Sequence, residues 1–222
     1  MMNKTKGNMF EWTTHTWNTV KGACPHGCSY CYMKRWGPQP ELHFDEKELK
    51  TDLGTGNFIF TGSSCDLFAY AIPVRWIHDT LTHCRKYDAN RYLFQSKNPE
   101  RIYNSRKSLP STVALGTTIE TNRSYPEMGD APGIMDRARW MAKLKMCGYR
   151  TIITIEPVMN FDLDRLPIII EACRPDWVNI GANTNKKVKL PEPPPDKVKS
   201  LIEALQGFTE VKIKPNLKRL MP

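Results

Sequence analysis

The chain has 222 residues, 40% of them hydrophobic and 25% charged, enough to bury a sizeable core as one domain, or one domain with a small appendage. Lys and Arg outnumber Asp and Glu 32 to 23, a formal net charge of +9 that favours a polyanionic partner. Seven cysteines, three of them clustered, are too few and too uneven for a disulfide scaffold, and no run approaches the roughly 18 apolar residues of a membrane span. The expectation is a monomer in the reducing cytoplasm, with no membrane partner and no secretory signal in the N-terminal segment.

In chain order, a first strand is expected around Thr16–Val20, then the stretch Cys24-Pro-His26-Gly27-Cys28-Ser-Tyr30-Cys31. Beyond it, short β-branched runs alternate with segments of helical period, the pattern of βα units around a parallel sheet. Strands are expected at Asn57–Thr61, Arg91–Ser96, Thr112–Thr117, Thr151–Glu156 and Trp177–Ala182. Between them, Ile77, Leu81 and Cys84 mark the apolar face of a helix over 74–87, and Asn98-Pro99 reads as an N-cap followed by a proline at the first helical position. A helix over 134–147 stops at Gly148, one over 164–173 ends before Pro175, and Val198, Leu201, Ile202 and Leu205 stripe another over 196–206.

Six βα units suggest an α/β fold, a partial (βα)6 TIM-like barrel over residues 1–207, since eight would close a barrel of about 250 residues. Residues 208–222 read as a basic tail or an extra strand at Glu210–Ile213. Basic residues gather at 85–107, seven against two acidic, and at 183–222, nine against four. These are either solvated faces or the walls of a groove for nucleic acid.

Cys24, Cys28 and Cys31 are spaced C-x3-C-x2-C. A closed zinc site wants four ligands, which His26 or His43 would have to complete. Three thiolates alone suit a 4Fe-4S cluster with one iron open to a small molecule.

This spacing, with the aromatic Tyr30 just before the third cysteine, resembles the radical S-adenosylmethionine (SAM) superfamily. Blocks such as IFTGSSCDLFAYAIPVRWI, LFQSKNPERI, ALGTTIE, TIEPV and WVNIGANT are similar to a phage- and plasmid-associated family of radical-SAM-like proteins. The resemblance implies a radical SAM core in which the three cysteines bind a 4Fe-4S cluster, SAM chelates the fourth iron, and Tyr30 packs near its adenine. It further implies reductive cleavage of SAM to a 5′-deoxyadenosyl radical, with flavodoxin or ferredoxin as electron donor.

Strand ends carry function in such barrels. By resemblance, Gly62, Ser63 and Ser64 would meet the SAM amino group, although this chain lacks the superfamily's usual GGEP form, and Thr118 and Glu120 would reach the ribose. Asp66 suits either an ammonium group or a helix cap, and Ser96 and Lys97 suit the SAM carboxylate or a substrate anion. Glu156, at the end of an apolar run, would be costly to bury unpaired and is expected to face the site. Asn179 and Asn183 are expected to read the adenine edge.

Cys65 is read as a hydrogen donor or a packed thiol, and Cys84, Cys147 and Cys173 as small core residues. The tryptophans and the methionines over 128–146 are expected as core and lid material, and residues 122–133 as a substrate-gating lid. The favoured function is a radical SAM enzyme acting on a nucleobase in DNA, with spore photoproduct lyase, a DNA-repair enzyme, as the analogue. A small metabolite or peptide substrate, or a zinc-stabilised nucleic-acid-binding module, remain the alternatives.

Overall fold

The computed structural model describes residues 1–221. Strands β1 (Asn3–Lys4), β2 (His15–Trp17), β3 (Val20–Lys21) and β4 (His43–Phe44) precede the regular alternation β5 (Phe58–Thr61), α1 (Val74–Lys86), β6 (Arg91–Gln95), α2 (Pro99–Asn104), β7 (Val113–Thr118), α3 (Ile134–Met146), β8 (Arg150–Ile155), α4 (Leu166–Cys173), β9 (Trp177–Ile180), α5 (Pro195–Gln206) and β10 (Glu210–Ile213). The main sheet runs in the order β1-β2-β5-β6-β7-β8-β9-β10, parallel from β2 onward with β1 antiparallel at its edge, an α/β partial TIM barrel. The expected first strand is split: β2 joins the sheet, while Val20–Lys21 forms the small β3–β4 pair. Between them the Asn18 side chain accepts from the Ser63 hydroxyl and the Ser64 N–H, diverting the chain toward the β5 loop.

Successive side chains of a strand point to opposite faces. On the outer face Ile59, Phe94, Leu115, Ile153 and Val178 pack beneath Ile77, Leu81, Met141, Ile170 and Leu201 of the helices. On the inner face Phe58, Phe60, Leu93, Ala114, Ile152 and Trp177 form a second apolar layer, plugged by Phe10 and Trp12 from the N-terminal segment. Toward the C-terminal strand ends this inner face turns polar: Gln95 donates to Thr118 and accepts from Thr154, each at 3.2 Å. The polarity change sets the floor of the cavity above it.

Several local expectations are corrected. Asn98 makes no side-chain cap; the turn into α2 is made by the Asn98 N–H donating to Ser96 Oγ. Cys84 and Cys173 are buried, whereas Cys147, at the C-cap of α3, is exposed. Met128 and Met141 are core residues, but Met135, Met146 and Trp36 face solvent. Among the described residues no helix is long and apolar enough to cross a membrane.

Candidate active site

The C-terminal strand ends surround a cavity of about 930 Å³, within the range of small-molecule and cofactor sites. The connection from β2 to β5 carries no α-helix; it carries the cysteine loop, and Cys24, Cys28 and Cys31 all line the cavity wall. Facing them are Gly62, Ser63, Ser64 and Cys65 after β5, Lys97 after β6, Thr118 of β7, Glu156 after β8 and Asn183 after β9.

Two supports hold the cysteine loop. Asp66 accepts from the His26 ring at 2.8 Å, from Ser96 Oγ at 3.0 Å and from the Lys97 N–H at 2.8 Å, tying the loop to the ends of β5 and β6. Burial opposes the Asp66 charge, but these donors hold its carboxyl below the usual carboxylate range. Asp66 is thereby engaged by the protein and serves as an anchor. The second support is segment 122–133, which packs against the cysteines as a buttress and not as a free lid. Ser29 N–H donates to the Glu127 carbonyl at 2.9 Å, Asp130 N–H to the His26 carbonyl at 2.8 Å, and the Cys28 thiol to the Met128 carbonyl at 3.1 Å. Gly129 permits the contact: at φ +62° a Cβ would stand 2.1 Å from the His26 oxygen.

The thiols differ in environment. The neighbouring Cys65 thiol brings the Cys24 thiol down to about 6 and is itself pushed up. Burial raises Cys31.

Glu120 and Asn179 depart from expectation, because neither lines the cavity. Glu120 is fully buried, accepting from the Tyr30 hydroxyl, from Lys97 Nζ at 2.5 Å and from Arg137 Nη1 at 2.9 Å. Tyr30 and Lys97 do line the wall, so Glu120 orients two cavity residues from behind. Asn179 sits in the buried inner face of β9 beside Thr154, with its amide nitrogen unpartnered among the described residues.

Glu156 faces the cavity within a polar group that the sequence did not announce. Its carboxylate accepts from Lys214 Nζ at 2.6 Å, Asn8 Nδ2 at 2.7 Å and Asn216 Nδ2 at 2.9 Å. Gly181 makes the room, since a Cβ there would come within 2.9 Å of that carboxylate. The basic cluster at 85–107 does not rim the site: Arg85 and Lys86 end α1 and Arg91 begins β6, at the opposite end of the barrel. Arg101 is spent on the carbonyls of Ala69, Tyr70 and Ile72, leaving Lys97 as that cluster's contribution to the cavity.

Three cysteine thiols on one cavity wall have the donor chemistry an iron–sulfur cluster would use. Among the described residues no three His, Cys, Asp or Glu side chains converge on a point that would hold one metal ion. The cavity that these three thiols line is large enough for a nucleoside-sized ligand.

A family model described as "Protein of unknown function (DUF5131)" matches residues 7–194. No curated protein matches the chain. Among solved structures, a doubly substituted spore photoproduct lyase with bound AdoMet and dinucleoside spore photoproduct superposes with a TM-score of 0.58 at 10% identity, covering 91% of this chain and 64% of that one. A singly substituted form of the lyase gives 0.61 at 8% identity over 93% and 78%. Streptococcus suis SuiB gives 0.58 at 10% identity over 89% and 48%. The likeness is one of fold, and the chain spans less than two thirds of the first of these lyase structures.

Proposed function

The chain belongs to the DUF5131 family, and we propose that it is a radical SAM enzyme acting on a nucleobase held in nucleic acid, DNA foremost. The observation that carries this reading is the shared cavity wall of Cys24, Cys28 and Cys31, opposed by polar strand ends in a partial barrel. The fold likeness to a lyase crystallised with AdoMet and a dinucleoside photoproduct supports it.

Cys24, Cys28 and Cys31 would hold a 4Fe-4S cluster, and Gly62, Ser63, Ser64, Lys97, Thr118 and Asn183 line the cavity where SAM would lie. The chemistry supplied when both groups are bound is one-electron cleavage of the sulfonium, giving a radical able to take a hydrogen atom from a substrate carbon. Tyr30 forms an apolar wall held in place by Glu120 and Lys97. Both residues of the remaining pair line the cavity: Cys65 would give a hydrogen atom, and Glu156, paired with Lys214, would meet substrate or SAM. The buttressed loop buries Cys28, while Cys24 and Cys31 stay partly open to the cavity, where the bound groups would have to cover them.

The test is anaerobic reconstitution followed by incubation with SAM, dithionite and DNA. The brown protein is expected to carry about four irons per chain, to release 5′-deoxyadenosine and to change the mass of a nucleoside. Cys28→Ala should lose the iron and both products. A colourless protein holding one zinc would overturn the assignment, and turnover of a free metabolite without nucleic acid would overturn the substrate class.

A further inference from the structure

Trp36 is 65% exposed at the mouth of the cavity. It ends the short 3-10 turn Tyr32–Trp36 that follows directly from Cys31. The turn is fixed at its start, where the Tyr32 hydroxyl donates to the Ser63 carbonyl at 2.5 Å across the cavity, and the Tyr32 ring meets the Trp36 ring edge-on at 5.9 Å. The indole is therefore held outward on a braced segment. Three cations stand on or beside this segment: the Arg35 guanidinium lies 5.2 Å from the indole centroid, Lys34 bonds the Gly27 carbonyl, and Lys187 reaches the Arg35 carbonyl. Among the described residues none of these three cations has a carboxylate partner.

An isolated exposed aromatic calls for no explanation. A braced indole between unpaired cations, at the opening through which a substrate must pass, has the composition of a single-strand stacking platform: a flat face for a base and positive charge for its phosphates. An enzyme working on a base within a strand must also unstack that base and hold its neighbour. We propose that Trp36, flanked by Lys34, Arg35 and Lys187, stacks on the nucleotide adjoining the one that enters the cavity and so fixes the strand at the mouth. This rests on the nucleic-acid reading above and adds the surface by which the strand is gripped. An acidic electron-donor protein would also find this charge attractive, but Trp36 lines the cavity itself, and a docked protein needs no aromatic face there.

The test uses fluorescence anisotropy of a labelled single-stranded oligonucleotide with the full chain, which requires no turnover. Trp36→Ala is expected to weaken binding roughly tenfold or more, and Trp36→Phe to restore part of it. Arg35→Ala and Lys187→Ala should each lower the slope of log affinity against log salt by about 0.7. Tyr70→Ala, which removes an aromatic 89% exposed and outside this cavity, should change nothing, and equal thermal midpoints establish that each variant folds.

Unchanged oligonucleotide binding by Trp36→Ala would overturn the platform while leaving the enzyme reading intact. So would slower cluster reduction by flavodoxin with binding preserved, which would assign the surface to the electron donor. A wild-type chain that binds no oligonucleotide at low salt would overturn the nucleic-acid reading and the platform with it.

Discussion

Glu120 holds its charge in the interior without access to water, and three donors decide whether it can. Burial alone would push its carboxyl up, yet the Lys97 and Arg137 cations bring it down to about 2. A carboxyl lowered on folding adds stability that is complete above its unfolded value near 4.5 and disappears as pH falls toward 2, a contribution of about 3 kcal/mol. Glu120→Gln leaves the buried Arg137 and the cavity-lining Lys97 without a counter-charge, and the expected cost at pH 7 is about 3–5 kcal/mol in urea unfolding of the metal-free protein. Measured from pH 7 to pH 3, the difference between wild type and variant should shrink as the unfolded wild-type chain takes up a proton at Glu120 that the folded one still excludes. A loss under about 1 kcal/mol at pH 7, or a difference that does not shrink in acid, would show that the carboxylate does not anchor Tyr30 and Lys97.

At the scale of elements, the cysteine loop is shaped by a segment a hundred residues away. Gly129→Ala would place a methyl 2.1 Å from the His26 oxygen at a backbone angle that disfavours any side chain, so the loops must part. Far-ultraviolet circular dichroism should stay unchanged, because no strand or helix is touched, while iron per reconstituted chain falls by at least half. Full loading would mean that the buttress is dispensable. The buttress also marks what the sequence could reveal. Strands β5 to β9 were legible because both faces are apolar, as in Ile152 and Ile153, and the cysteine spacing was legible because it is local. Residues 122–133 have the composition of a mobile loop, and only the pairing of Ser29 with Glu127 and of His26 with Asp130 shows that they are docked. Likewise Glu120 was visible as a polar strand end, but its register beside Lys97 and Arg137, which takes it out of the cavity, depends on packing that no spacing encodes. The Lys6–Phe10 wall and the Asn8 contact to Glu156 lack any period to betray them.

At the scale of the molecule, the sheet is an open barrel whose two edges are β1 and β10, and the final segment supplies more than an edge. β10 pairs along its whole length with β9, Leu217 is fully buried, and Lys214 and Asn216 satisfy the Glu156 carboxylate. Deleting residues 208–222 would expose the hydrogen-bonding edge of β9, remove a buried leucine worth about 2–5 kcal/mol and strand a largely buried carboxylate at about 3–5 kcal/mol. Those losses match the whole stability of a typical domain, about 5–15 kcal/mol, so the truncated chain is expected to be insoluble or unfolded. Lys214→Ala isolates the electrostatic share: a loss near 3 kcal/mol corresponds to a thermal midpoint lower by roughly 6–12 °C. A truncated chain melting within about 2 °C of the full one would mean that the segment is an appendage. It would also mean that Asn8 alone suffices to hold the Glu156 carboxylate at the cavity wall, with Lys214 and Asn216 dispensable to the site.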